Sequence, residues 1–418
     1  VFSFEETFLN LDKSIFLCKN NFMQLNNRQL YYQNLATPAF VKNAIEVVEA
    51  NGIHLTDDKN EKWIDLVSGV SVSNVGHRHP KVVEAIKDQL DKYMHLMVYG
   101  EFIQSPQVQL AKLLAQNLPK HLHSVFFVNS GSEANEGAIK LAKRVTHRSE
   151  IIAFRNAYHG GTHGALSLLG NEQMKYAFRP LLPDIRFMDF NAFGQIKNIT
   201  SNTAAVVIES IQAEAGIILP EPGYLEAVKK RCEEVGALLI LDDIQMGFGR
   251  TGKLFSFENF DFQPDILTLA KGMGGGMPIG AFIASQDLMN QLQFNPSLGH
   301  ITTFGGHPVC CAASKASLEV ILDEQLCKQA MDKGKLFVSY LKNHPKIHEI
   351  RQKGLMLAVD LGTHEMGNKA IKILWENKLI VDQFLFNTTS FRIAPPLNIP
   401  IEQIESISKI ILKCLDQI

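Results

Sequence analysis

The sequence predicts an α/β protein built on a large wound, mostly parallel sheet, with a smaller α/β domain drawn from both chain ends. Three observations predict it. Between residues 125 and 283, short β-branched apolar runs alternate with helical patterns, the mark of strands joined by crossover helices. The runs are almost continuously apolar, as in strands covered on both faces. Beyond about residue 320 the pattern changes to amphipathic helices.

The strand candidates are Val125–Val128, Ile151–Phe154, Ala205–Ile208, Leu238–Leu241, Ile266–Leu269 and Ile279–Ile283. Between the third and fourth, Leu225, Val228, Cys232 and Val235 fall on one helical stripe that Gly236 can stop. This is a strand, crossover helix, strand unit. Further on, a strand is expected at Met356–Val359 and a turn at Ala394-Pro395-Pro396. The expected division is an N-terminal segment, 1–76, that contributes to the small domain, a large domain, 77–319, and a C-terminal small domain, 320–418.

The bulk properties narrow the function. A chain of 418 residues with 46% apolar and 20% charged composition can form more than one core. With 41 basic and 43 acidic residues, its net charge of -2 creates no field to gather nucleic acid or anionic lipid. A small-molecule partner is expected, with no nucleic acid and no membrane. Cys18, Cys232, Cys310, Cys311, Cys327 and Cys414 form no C-x-x-C pair, so neither a disulfide framework nor a zinc site is expected. No apolar run approaches membrane-spanning length, and Glu5 and Glu6 stand where a secretory leader would be basic. The expected setting is the reducing cytoplasm.

Three places carry chemistry. After the first strand, Ser130-x-x-Glu133 has the form of a capping box, which sets Gly131 and Ser132 at a helix N-terminus. Free N–H groups and the positive dipole end suit a phosphate there, although a plain crossover helix is capped in the same way. The fourth strand ends in Asp242-Asp243, at the sheet edge where ligands of this architecture bind. Such an Asp is either a helix cap or, more pointedly, the anion that keeps a ring nitrogen protonated. The fifth strand runs into Ala270-Lys271-Gly272-Met273-Gly274-Gly275-Gly276. A lysine in a dry, glycine-lined position has a lowered pKa and becomes a nucleophile and proton shuttle; a solvated loop lysine is the alternative.

Together these segments resemble a class III, or omega, aminotransferase of the ornithine, acetylornithine and 4-aminobutyrate aminotransferase group. The motifs are SGSEANEGAIKLA, YHGGTHGAL, ESIQAEAG, LILDDIQMGFGRTG, LAKGMGGGMPIGA, TTFGGHP and FRIAPPL, in family order over most of the chain. The resemblance implies a fold-type-I transferase, pyridoxal 5'-phosphate as cofactor, and an amino donor and keto acid acceptor used in turn. It implies a homodimer with shared active sites.

It also implies roles for single residues. Lys271 would hold the cofactor as a Schiff base, and Asp242 would pair with its pyridine nitrogen. Gly131 and Ser132 would bind its phosphate, Tyr158 would stack on its ring, and Gln245 would approach the ring hydroxyl. Thr303 would reach the phosphate of the neighbouring subunit, and Thr302 would lie near substrate. Arg392 would grip a substrate carboxylate, with Glu214 as the acidic gate that pairs with it.

The pattern is broken at five positions. Asp243 replaces the usual Glu, Ser210 and Ala213 replace Pro and Gly, and His307 replaces Asn. Gly161 stands where members that use 2-oxoglutarate often carry an arginine, so a monocarboxylic keto acid becomes the expected acceptor unless Arg155 or Arg179 substitutes. Two rivals remain: an aminomutase or decarboxylase with the same cofactor and motifs, and a non-enzymatic binding protein that keeps the fold.

Overall fold

The computed structural model describes residues 25–39, 41 and 44–418. Cys18 and the acidic start of the chain lie outside them. The central sheet has seven strands in the order Ser124–Val128, Gly280–Ala284, Ile266–Leu269, Leu238–Asp242, Thr203–Glu209, Glu150–Phe154 and Ile185–Met188. Only Gly280–Ala284 runs against its neighbours. All six expected runs are strands of this sheet. The seventh strand, Ile185–Met188, was not expected, because at this edge Arg186 is exposed and interrupts the apolar run.

Both faces of the sheet are covered, which accounts for the lack of polar alternation. Ile152, Phe154, Val206, Ile208, Leu239 and Leu241 join one core cluster, whereas Ile151, Ala153, Ala205, Val207 and Ile240 join another. Side chains two apart share a face, as strand geometry requires. The first face is covered in part by the helix Tyr224–Val235, entered at Gly223 and stopped at Gly236, both left-handed. The other carries the helix Gly131–Thr146. There a Cβ on Gly137 would lie 2.3 Å from the Phe282 ring, so the helix sits against the strand at a distance that only glycine allows.

Residues from both ends share a second sheet. Val47–Asn51, His54–Asp57 and Lys62–Asp65 form an antiparallel set, extended by Leu379–Ile380 in parallel. A third sheet joins Glu349–Gln352, Leu357–Asp360 and Ser390–Ile393 and is antiparallel throughout. Helices Leu326–Leu341, His364–Glu376 and Ile401–Leu415 complete this part of the chain. The larger core cluster continues from Ile53 to Leu415, and the two small sheets are therefore packed onto the large one. No helix among the described residues is long and apolar enough to cross a membrane.

Candidate active site

The parallel strands deliver their following turns to one edge of the sheet, and a cavity of about 430 Å³ opens there. Gly131, Ser132, Tyr158, Asp242, Gln245 and Lys271 all line it. Ser130 caps the first helix, its hydroxyl accepting from Glu133 N at 3.1 Å. The reciprocal half of the capping box is displaced by one residue: the Glu133 carboxylate accepts from Asn129 N at 2.8 Å. First-turn N–H groups have no intrahelical acceptor, and those of Gly131 and Ser132 stand at the cavity wall. Gly160, at φ +131°, turns the backbone so close to this helix that a Cβ would meet Ser132 Oγ at 2.3 Å.

Asp242 is buried in a polar network that sequence reasoning did not find. Its Oδ2 accepts from Asn135 Nδ2 at 2.8 Å and lies 2.7 Å from His159 Nδ1, and its Oδ1 accepts from Ile244 N at 3.1 Å. Asn135 in turn accepts from Thr268 Oγ1 at 2.9 Å. Burial disfavours a charge on His159, but the hydrogen bond and charge of Asp242 outweigh it and raise the imidazole pKa. The carboxylate is thereby fixed in position with one oxygen less heavily engaged, an arrangement suited to a cationic ring N–H. The one sequence signal of His159 is its place beside Tyr158.

Lys271 follows the strand Ile266–Leu269 with φ at 47°, a left-handed conformation that costs a lysine strain and is concentrated at functional sites. Its Nζ donates to Gln245 Oε1 at 3.0 Å, and Gln245 Nε2 donates to Glu214 Oε1 at 3.2 Å. Glu214 then receives Arg392 Nη2 on both oxygens, at 2.9 and 3.1 Å, and Leu385 N at 3.0 Å. A continuous relay links lysine to guanidinium. Enclosure by protein lowers the Lys271 pKa, although Glu214 opposes this. Burial works against ionised Glu214, yet the Arg392 charge prevails and holds its pKa below the usual value.

Arg392 has a second carboxylate that the sequence did not suggest, Asp382 Oδ1 at 3.1 Å from Nε. Burial pushes Asp382 up to about 6 in spite of the guanidinium. Thr302 accepts from Asn129 Nδ2 at 2.8 Å and lines a different cavity, of about 460 Å³. Thr303 is exposed and is not part of the lysine cavity of its own chain. Arg155 and Arg179 are surface residues held by Asp189 at 3.1 Å and Glu172 at 2.6 Å, so neither supplies a guanidinium at the cavity. Gly161 lines the cavity, and a Cβ there would have nothing within 4 Å.

Two of the departures from the family pattern are linked. Ser256 N donates to Asp243 Oδ2 at 2.9 Å, and the Ser256 hydroxyl bonds that of Ser210. The shorter Asp and the Ser in place of Pro thus share one partner beneath the site.

The donor set fits pyridoxal phosphate: a helix N-terminus and glycine turn for the phosphate, a held carboxylate for the ring nitrogen, and an amine with lowered pKa between them. Comparison with known proteins agrees. The ornithine aminotransferase of Toxoplasma gondii, in a structure with partial occupancy of PLP at its active site, superposes with a TM-score of 0.84 at 28% identity over 92% of each chain. A transaminase from the marine bacterium Virgibacillus gives 0.87 at 27% identity over 93% of this chain and 98% of its own. An (S)-enantioselective omega-transaminase from Thermomicrobium roseum gives 0.86 at 27% identity, over 93% and 97%. The family described as Aminotransferase class-III matches residues 37–415, and the chain belongs to it as a pyridoxal-phosphate-dependent aminotransferase.

Proposed function

We propose that the protein is a homodimeric, cytoplasmic transaminase that takes a terminal amino group from an omega-amine donor of the ornithine, acetylornithine or 4-aminobutyrate type. The group passes to a monocarboxylic keto acid. The observation that carries this reading is the relay Lys271–Gln245–Glu214–Arg392. With Glu214 in place, Arg392 is neutralised, and an omega-amine can approach Lys271 without meeting an unpaired guanidinium. A substrate carboxylate must displace Glu214 to form its own forked pair with Arg392.

When bound, pyridoxal phosphate supplies an electrophilic carbon and an electron sink. Gly131 and Ser132 would bind its phosphate, with Thr303 of the opposite subunit, and Tyr158 would stack on its ring. Asp242, oriented by His159 and Asn135, would hold the proton on the ring nitrogen. Gln245 would approach the ring hydroxyl, and Thr302, beside Thr303, would touch the substrate of the opposite subunit. Lys271 would anchor the cofactor and, as a free amine, take the proton from the donor carbon; its lowered pKa favours the neutral form that this task needs. The same lysine serves the keto acid in the reverse direction.

Support for a dimer comes from exposed Thr303 and from apolar side chains left in solvent, among them Met94, Phe102, Ile103 and Phe304. The free thiols of Cys232, Cys310, Cys311, Cys327 and Cys414 support a reducing compartment.

Acceptor choice follows from charge. Besides Lys271, the ionisable lining of the cavity includes Glu209, Asp242 and Tyr158, and Arg392 is the guanidinium at the end of the relay. A dicarboxylate would leave one carboxylate unpaired, a cost of several kcal/mol in a desolvated site. With a panel of amino donors, pyruvate should have a specificity constant at least comparable to that of 2-oxoglutarate. A hundredfold preference for 2-oxoglutarate, about 2.7 kcal/mol, contradicts this reading. Gly161→Arg, at a cavity-lining position where a Cβ meets nothing within 4 Å, should move the ratio towards 2-oxoglutarate. Ping-pong dependence on two substrates separates transamination from an aminomutase or decarboxylase.

A further inference from the structure

Glu209 has no part in the roles above, yet it lies at the centre of the site. It ends its strand in direct register with Asp242 on the neighbouring strand, so two carboxyls emerge side by side at the sheet edge. Both are buried, at 5% exposure each, and both line the cavity. Their surroundings differ. Asp242 has a histidine, an asparagine amide and a backbone N–H. Among the described residues, Glu209 has two backbone donors alone, Ala213 N at 3.1 Å and Tyr158 N at 3.4 Å, and no ion pair.

We propose that Glu209 is a positioning residue held as a neutral carboxylic acid, which leaves Asp242 as the only anion of the carboxyl pair beside the ring nitrogen. One imidazolium cannot balance two adjacent carboxylates in a desolvated cluster, and the carboxyl with fewer stabilising contacts keeps its proton. The groups facing Glu209 are His159 from the turn beside it, Asp242 from the next strand, Glu214 from the following loop, and Lys271 across the cavity. Burial, with Asp242 and Glu214 reinforcing it and His159 opposing it, pushes the Glu209 pKa up to about 8. Ionisation above that value draws the His159 charge away from Asp242 and weakens its hold on the ring nitrogen.

The folded-state value lies above the ordinary value of 4.5. The folded protein therefore binds this proton more tightly than the unfolded chain. Stability that is fully present below about 4.5 is lost as pH rises towards about 8.

The test uses holoenzyme labelled with ¹³C-carboxyl glutamate, which separates glutamate from the aspartates in the infrared. A protonated-carboxyl stretch should be present at neutral pH, fade as pH passes about 8, and be absent from Glu209→Gln. Glu258→Gln, at another glutamate whose pKa burial raises, should retain it, and this comparison stands even if Glu209→Gln fails to fold. The Glu209→Gln holoenzyme should also melt above wild type in alkaline buffer, with the gap closing on acidification. A neutral-pH spectrum without a glutamic-acid band overturns the proposal, as does a band that survives in Glu209→Gln or a melting difference independent of pH. The proposal rests on the cofactor reading only for the ring nitrogen. Borohydride attachment to Lys271 checks that reading separately, since it does not depend on the state of Glu209.

Discussion

Asp242 shows how a single carboxylate can be fitted for its proposed task by the residues bonded to it. His159 and Asn135 share one of its oxygens, so the charge stays at one place and in one orientation. In Asp242→Asn the amide keeps the size and loses the charge. An opposite charge at contact distance is worth about 1–3 pKa units, so at a pH above the ring nitrogen's pKa the protonated fraction should fall about 10- to 1,000-fold. We expect a variant with normal circular dichroism that binds cofactor and has turnover reduced within that range; near-normal turnover would mean another group holds the nitrogen. The position of Asp242 at the end of an apolar run was legible in the sequence, because Leu238-Leu-Ile-Leu241 announces a strand and its edge. The same signal, an acid ending Ala205-Val-Val-Ile208, marked Glu209 and was not used. The network through His159, Asn135 and Thr268 was not legible, since its members lie up to 133 residues apart and meet only after the strands pair.

At the scale of elements, legibility followed burial. Five of the six runs are inner strands buried on both faces, and the sixth, in the half-buried edge strand Ser124–Val128, is still apolar throughout, whereas Ile185–Met188 and the strands within residues 47–65 have exposed or half-buried polar positions that blur the signal. Helix boundaries were marked by chemistry: Ser130 at one N-terminus and Gly236 at one C-terminus. What composition could not convey is closeness. The helix Gly131–Thr146 carries the proposed phosphate-binding turn at its first residues and is seated on Phe282 through Gly137. Gly137→Val should push the helix off that ring and cost about 1–3 kcal/mol in overpacking. Chemical denaturation will measure it, and a loss of cofactor affinity is expected alongside, because the moved helix starts at the phosphate site. A stability within about 0.5 kcal/mol of wild type would show that Phe282 gives way freely.

For the molecule as a whole, the site is made where distant parts of the chain converge. The large sheet brings Asp242 and Lys271 to one edge, the segment after Thr203–Glu209 brings Glu214, and the third sheet brings Arg392 from 178 residues further on to meet it. The fold class was legible from the alternation of runs and helices. The joining of Lys62–Asp65 to Leu379–Ile380 was not legible in register or partner, because a two-residue strand leaves no pattern to read. The central claim is that this convergence exists to hold one cofactor on one lysine. Borohydride reduction of the wild-type holoenzyme followed by peptide mapping tests it most directly. The account predicts the cofactor on the peptide that contains Lys271, with Lys271→Ala binding it only non-covalently and turning over about 10²–10⁴ times more slowly. Attachment to any other lysine would contradict it.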